Sequence, residues 1–125
     1  MSNYIFKYTR ADALRDGVLV DITKYGLEMG FKYPVAVTDS VFNILNPSDE
    51  LKNEGQDLIG RIWDLLIILK WQSMKLQERS SDRVNLSPLF VMKKGRPAEP
   101  IDMWCHCGPG DNPEPVLTVM LMGED

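Results

Sequence analysis

The densest group of reactive side chains in this 125-residue chain is Cys105-His106-Cys107-Gly108-Pro109-Gly110-Asp111. Two thiols and an imidazole in three residues raise two chemistries. A structural zinc site needs four ligands in tetrahedral array. Cys105 and Cys107 can chelate from one face of a strand, but His106 then points to the other face. The chain has no other His or Cys, so Asp111 or a second chain would have to complete the set. A Cys–His nucleophile pair meets the same geometry: the base must reach the thiol, and adjacent strand residues diverge. The simpler reading is two buried thiols on a strand that ends in a glycine-proline turn, with His106 at the surface. No metal and no cofactor is expected.

Gly108-Pro109-Gly110 has the look of a phosphate loop but lacks the Lys-Ser/Thr of one, and a strand follows it instead of a helix. Turn chemistry accounts for it, with Asp111 and Asn112 capping their own backbone. A second group, Asp12, Asp16 and Asp21 with Arg10 and Arg15, is able to line a pocket with Tyr8. Paired carboxylates do acid–base work only where their surroundings push their pKa values apart; capping and solvation serve here otherwise. Trp104, outward beside His106, suits a recognition surface. The candidate ligand- or partner-binding residues are therefore Tyr8, Arg10, Asp12, Arg15, Trp104, His106, Gly108, Gly110, Asp111 and Asn112, and no coherent catalytic set emerges.

The elements that must position them centre on Asp57–Leu76, apolar almost all the way round a helical wheel, as a helix buried by its own domain is. Arg61, Asp64, Gln72 and Lys75 mark one polar strip, with Ile68 the odd residue inside it. Ahead of it the sequence predicts a strand over Asn3–Tyr8 and a helix over Arg10–Arg15, capped by Thr9 and stopped by Asp16-Gly17. A strand over Val18–Ile22 follows, then a brief helix capped by Thr23 and closed by Gly30. Phe31–Val37 reads as extended, leading into a helix over Asp39–Leu45 capped by Thr38, and Ser48–Gln56 as a loop. Beyond the core helix come three strands. Val84–Met92 carries Pro88, which suits an edge or a bulge. Ile101–Cys107 turns Ile101, Met103, Cys105 and Cys107 inward. Val116–Met122 is apolar on both faces, as a central covered strand is. The fold expected is α+β: one domain over residues 1–125, an antiparallel sheet with a C-terminal three-strand meander packed on one long central helix, plus short N-terminal helices.

Composition excludes more than it assigns. Apolar content of 44% with 26% charged residues is ordinary for a globular domain and excludes general disorder. Fourteen basic against eighteen acidic residues give a net charge of −4, which argues against a nucleic-acid binder. The longest apolar run, Leu65–Leu69, is far short of the roughly 20 residues a membrane span needs. Met1–Lys7 lacks the basic and apolar regions of a secretion signal. The expectation is a cytoplasmic protein with reduced thiols and no membrane association.

Tyr8-Thr9-Arg10-Ala11-Asp12-Ala13-Leu14-Arg15-Asp16-Gly17-Val18-Leu19-Val20-Asp21 and Cys107-Gly108-Pro109-Gly110-Asp111-Asn112 carry a resemblance, joined by Gly30–Thr38 and Arg61-Ile62-Trp63-Asp64. Together they resemble an uncharacterised family of small proteins, a domain of unknown function carried by bacterial phages, plasmids and conjugative elements. The likeness runs in register over nearly the whole chain. It brings no activity, ligand or catalytic residue with it. What it implies is an accessory role in a mobile element, such as inhibition of a host defence system. The leading expectation is a non-catalytic module that binds an unidentified protein partner, and a homodimer is a further expectation. The alternative is a small-ligand or nucleotide binder using Tyr8, Arg10, Arg15 and the Gly108–Asn112 loop; a Cys/His-dependent enzyme comes third.

Overall fold

Local capping sets the first helix. In α1 (Arg10–Asp16) the Thr9 hydroxyl accepts from the Asp12 amide, and the Asp12 carboxylate accepts from the Thr9 amide. This reciprocal box satisfies two amides that a helix start leaves open. Gly17 ends the helix at φ +78°, a left-handed conformation that glycine adopts at little cost. The computed structural model describes residues 8–76 and 83–124. The strand expected over Asn3–Tyr8 thus lies outside the described residues, except for Tyr8 itself, which is exposed and irregular.

Strand β1 (Leu19–Asp21) leads into α2 (Thr23–Glu28). Thr23 is not the cap of α2: Ile22 holds that position without a side-chain bond. The reason is Asp21, whose carboxylate accepts from the Thr23 amide at 3.0 Å and caps from one residue further back. The Thr23 hydroxyl is thereby free to accept from the Val35 amide at 3.0 Å. Strand β2 (Val35–Thr38) runs directly into α3 (Asp39–Leu45), and Thr38 caps α3 as expected by accepting from Val41. The loop expected over Ser48–Gln56 contains one helical turn, α4 (Asp49–Lys52), capped by Ser48 and pinned by buried Leu51. The long helix is α5 (Leu58–Leu76).

Among the described residues five strands follow: β3 (Arg83–Leu86), β4 (Leu89–Phe90), β5 (Glu99–Pro100), β6 (Met103–Pro109) and β7 (Pro115–Leu121). The main sheet has the order β1-β2-β7-β6-β3, and β4 and β5 form a separate ribbon. The C-terminal meander is present, with β3, β6 and β7 antiparallel in sequence order. As its two-sided apolarity requires, β7 is central, and β3 is an edge strand closed off by Pro88. The sheet is mixed and not antiparallel throughout, because β2 and β7 pair in parallel. Parallel neighbours need a long crossover, and residues 39–114, with α3 to α5, supply it. Gly108 and Pro109 belong to β6, opposite Val116 and Pro115, and not to a turn.

Alternation along these strands puts Val35, Val37, Val119, Cys105, Met103, Val84 and Leu86 on one face, in a cluster with Ile62, Leu65, Leu66 and Leu69 of α5. Val41 and Leu45 of α3 join the same cluster. Each such side chain contributes about 1.5–3 kcal/mol on burial, so α5 is the organising element. Its polar strip differs from the sequence reading. Arg61 is only 2% exposed and Ile68 packs against the core, whereas Ile67, Trp71 and Met74 face outward. Among the described residues no helix is long and apolar enough to cross a membrane.

Candidate functional site

Two distant segments meet at the start of α1. Asp111, in the turn between β6 and β7, accepts hydrogen bonds from the backbone amides of Arg10 at 2.6 Å and Ala11 at 3.0 Å. With Thr9 and Asp12 it completes the capping of α1 from about a hundred residues away in sequence. The Arg10 guanidinium passes beneath, donating to the Thr118 hydroxyl at 2.7 Å and the Leu117 carbonyl at 3.1 Å on β7. Its half-buried position lowers its pKa, mainly by desolvation. A cleft of about 310 Å³ results, lined by Tyr8, Thr9, Arg10, Leu19, Pro109, Gly110 and Asp111.

Of the expected site residues, the fold therefore gathers Tyr8, Arg10, Gly110 and Asp111. Asp12 and Arg15 stand on α1 as an ion pair at 2.7 Å, with Asp16 between Arg15 and the Tyr8 hydroxyl. The Asp12 carboxyl is held below its ordinary value, first by the Thr9 amide and then by the Thr9 hydroxyl and Arg15. Asn112 lies at the exposed tip of the turn, its amide donating to the Glu114 carboxylate at 2.9 Å. The Gly110 amide donates to the Glu114 carbonyl at 2.8 Å. These turn amides, and the first amides of α1, are already spent on carboxylates and a carbonyl. An anion entering the cleft would have to displace Asp111.

Trp104 and His106 lie on β6, one pleat apart, with their rings edge to face at 6.1 Å. Arg83 of β3 stacks its guanidinium 3.9 Å from the centre of the Trp104 ring, a cation–π contact. Arg83 was missed in the sequence. Its outward parity beside inward Val84 was readable, but its pairing with β6 was not. Gly108 sits against the imidazole: a Cβ there would stand 2.5 Å from Cε1 of His106. Thr118, opposite His106 across the β6–β7 ladder, is the residue that receives Arg10, so cleft and aromatic pair share one sheet face.

Cys105 is not placed for either cysteine chemistry. Cys105 is buried on the helix side of the sheet, opposite in parity to His106, and burial pushes its thiol up to about 12. A thiol so placed is a poor nucleophile at neutral pH. Among the described residues, no three His, Cys, Asp or Glu side chains gather as a metal-holding group. Between its ordinary 9.0 and about 12, the folded chain holds the Cys105 proton while an unfolded chain releases it. Stability contributed by this group is thus complete below about pH 9 and falls by about 1.4 kcal/mol per pH unit above it. Cys105→Val is expected to lack this alkaline loss, so its stability relative to the parent rises between about pH 9 and pH 11. Denaturant titrations at each pH check this, and parallel curves for the two proteins would refute it.

The model of a family described as a family of unknown function (DUF6573) matches residues 1–125. No curated protein matches the chain, and no solved structure does.

Proposed function

We propose that this chain, which belongs to the DUF6573 family of unknown function over residues 1–125, is a non-catalytic protein-binding module acting through the outer face of α5. One observation carries the reading. Ile67, Trp71 and Met74, at i, i+4 and i+7, present a continuous apolar stripe, with Trp71 69% and Met74 61% exposed. Leu89 of β4, 60% exposed, extends it sideways. Tryptophan and methionine are enriched in protein interfaces, and a contiguous exposed apolar patch marks an interaction site.

The resemblance to proteins of phages, plasmids and conjugative elements supplies a setting: a cytoplasmic accessory protein that occupies a component of a host defence system. A second reading, a small-ligand or nucleotide binder, draws on the cleft between α1 and the β6–β7 turn, but the amides at the cleft already donate to Asp111 and Glu114, and Arg10 donates to β7. The test compares tagged parent and Trp71→Glu protein on bacterial lysate. A macromolecule retained by the parent, and lost with Trp71→Glu but not with Arg15→Ala, is expected. Equal retention by all three would sink the α5 face. A rise in melting temperature with added nucleotide, which linkage demands of any ligand of the folded state, would favour the second reading instead.

A further inference from the structure

We infer that the occupant of the α5 face is a second copy of this chain, paired antiparallel through α5 about a two-fold axis near Ile67, an inference that rests on the protein-binding reading above. The face carries a knob and a hole. The hole is a groove of about 300 Å³ between α5 and the β3–β4 connection, lined by Asp64, Ile67, Ile68, Ser87 and Leu89. The knob is Trp71, one turn beyond Ile67 on the same side of the helix and 69% exposed. At 3.6 residues per turn, Gly60, Asp64, Ile67, Trp71 and Met74 share one stripe.

Reversing a second helix about an axis at Ile67 sets residue 74 opposite residue 60, and residue 71 opposite residue 63. Long helical side chains lean toward their own N-terminus. Each Trp71 therefore tilts back over the other copy's Asp64–Ile67 groove. The indole body meets Ile67, Ile68 and Leu89, and its N–H finds the exposed Asp64 carboxylate as acceptor. Ser87 already donates to Asp102 at 2.7 Å. Met74 comes to lie over Gly60, which is exposed and carries no side chain of its own, beside the Asp57 carboxylate that accepts from the Gly60 amide. Both contacts repeat by symmetry, so the pairing is closed and buries both copies' knobs at once.

Sedimentation velocity on the full chain over a wide concentration range tests this. The parent is expected to show a reversible monomer–dimer equilibrium. Trp71→Glu, which removes the knob, and Leu89→Glu, which spoils the hole, should each sediment as monomers, while Leu27→Glu, an exposed apolar site on α2, should dimerise like the parent. A mixture of the two monomeric variants should dimerise more than either alone, because one knob and one intact hole then meet. A parent that stays monomeric at every concentration overturns the inference. So do a dimer insensitive to both substitutions and a mixture no better than its parts. A monomeric parent whose lysate partner is still lost with Trp71→Glu would overturn the second copy as occupant but leave the protein-binding reading standing.

Discussion

Arg61→Ala is expected to lower stability by about 3–5 kcal/mol, a large share of the roughly 5–15 kcal/mol that holds a domain folded. Among the described residues Arg61 is the one charged side chain that is buried, 2% exposed. Its guanidinium donates to the Ile44 carbonyl at 2.8 Å, near the C-terminus of α3, and to the Val91 carbonyl at 2.5 Å, just past β4. It also lies 5.2 Å from the centre of the Phe90 ring. One side chain thus ties α5, α3 and the β4 segment together. Among the described residues no carboxylate pairs with it directly; the C-terminal end of α3 offers partial negative charge, and Asp64 supports it from the same helix. Removing the side chain strands two carbonyls, at about 1–3 kcal/mol each, and opens a void. Burial lowers its pKa, but arginine starts so high that it stays charged wherever the fold survives.

The comparison with Arg61→Met separates the two contributions. Methionine keeps most of the stem's packing and removes a charge that is costly to bury, but it cannot donate to the carbonyls. Its loss should therefore be smaller than that of alanine, about 1–3 kcal/mol. Urea denaturation of parent, Arg61→Ala, Arg61→Met and the exposed control Lys52→Ala gives the order directly. An alanine variant no less stable than the Lys52 control would show that the arginine bridges nothing of consequence.

Arg61 also shows where the sequence stops being informative. Features set within a few residues were legible: Thr9 and Asp12 close a box that starts α1, Thr38 starts α3, and Gly17 ends a helix because only its backbone turns that way cheaply. The central place of β7 was legible too, since a strand apolar on both faces must be covered on both. What depended on pairing across the chain was not. The parallel contact of β2 with β7 leaves no local trace, because either orientation buries the same alternate residues. A helix apolar nearly all round does not announce which face its domain leaves open. Arg61 therefore read as surface and Ile67 as core, and the fold reverses both. In the candidate site the two contributing segments were identifiable as turn- and cap-forming chain. The ligand-binding alternative joined them in one site, but the joint itself, with Asp111 reaching the first amides of α1 and Arg10 seated on β7, depends on how α1 packs on the sheet and leaves no local trace.

That meeting is where the second large effect is expected. Asp111→Ala removes a charged acceptor from two backbone amides at a helix start, and should cost about 2 kcal/mol. Arg10→Ala removes the donors to Thr118 and Leu117 that seat α1 on β7, and should cost about 1–3 kcal/mol. The two changes act on one joint, so the double variant should lose less than the sum of the singles. Amide exchange gives a local readout that global unfolding does not. In Asp111→Ala the Arg10 and Ala11 amides should exchange much faster than in the parent, while those of α5 keep their protection under conditions where the fold remains intact. Unchanged exchange at Arg10 and Ala11 would refute the cap. If the cleft is a joint and α5 the working surface, Asp111→Ala should also retain protein partners as well as the parent does, since nothing it touches reaches Trp71. Loss of retention with a fully folded Asp111→Ala protein would move the binding site from the helix to the cleft.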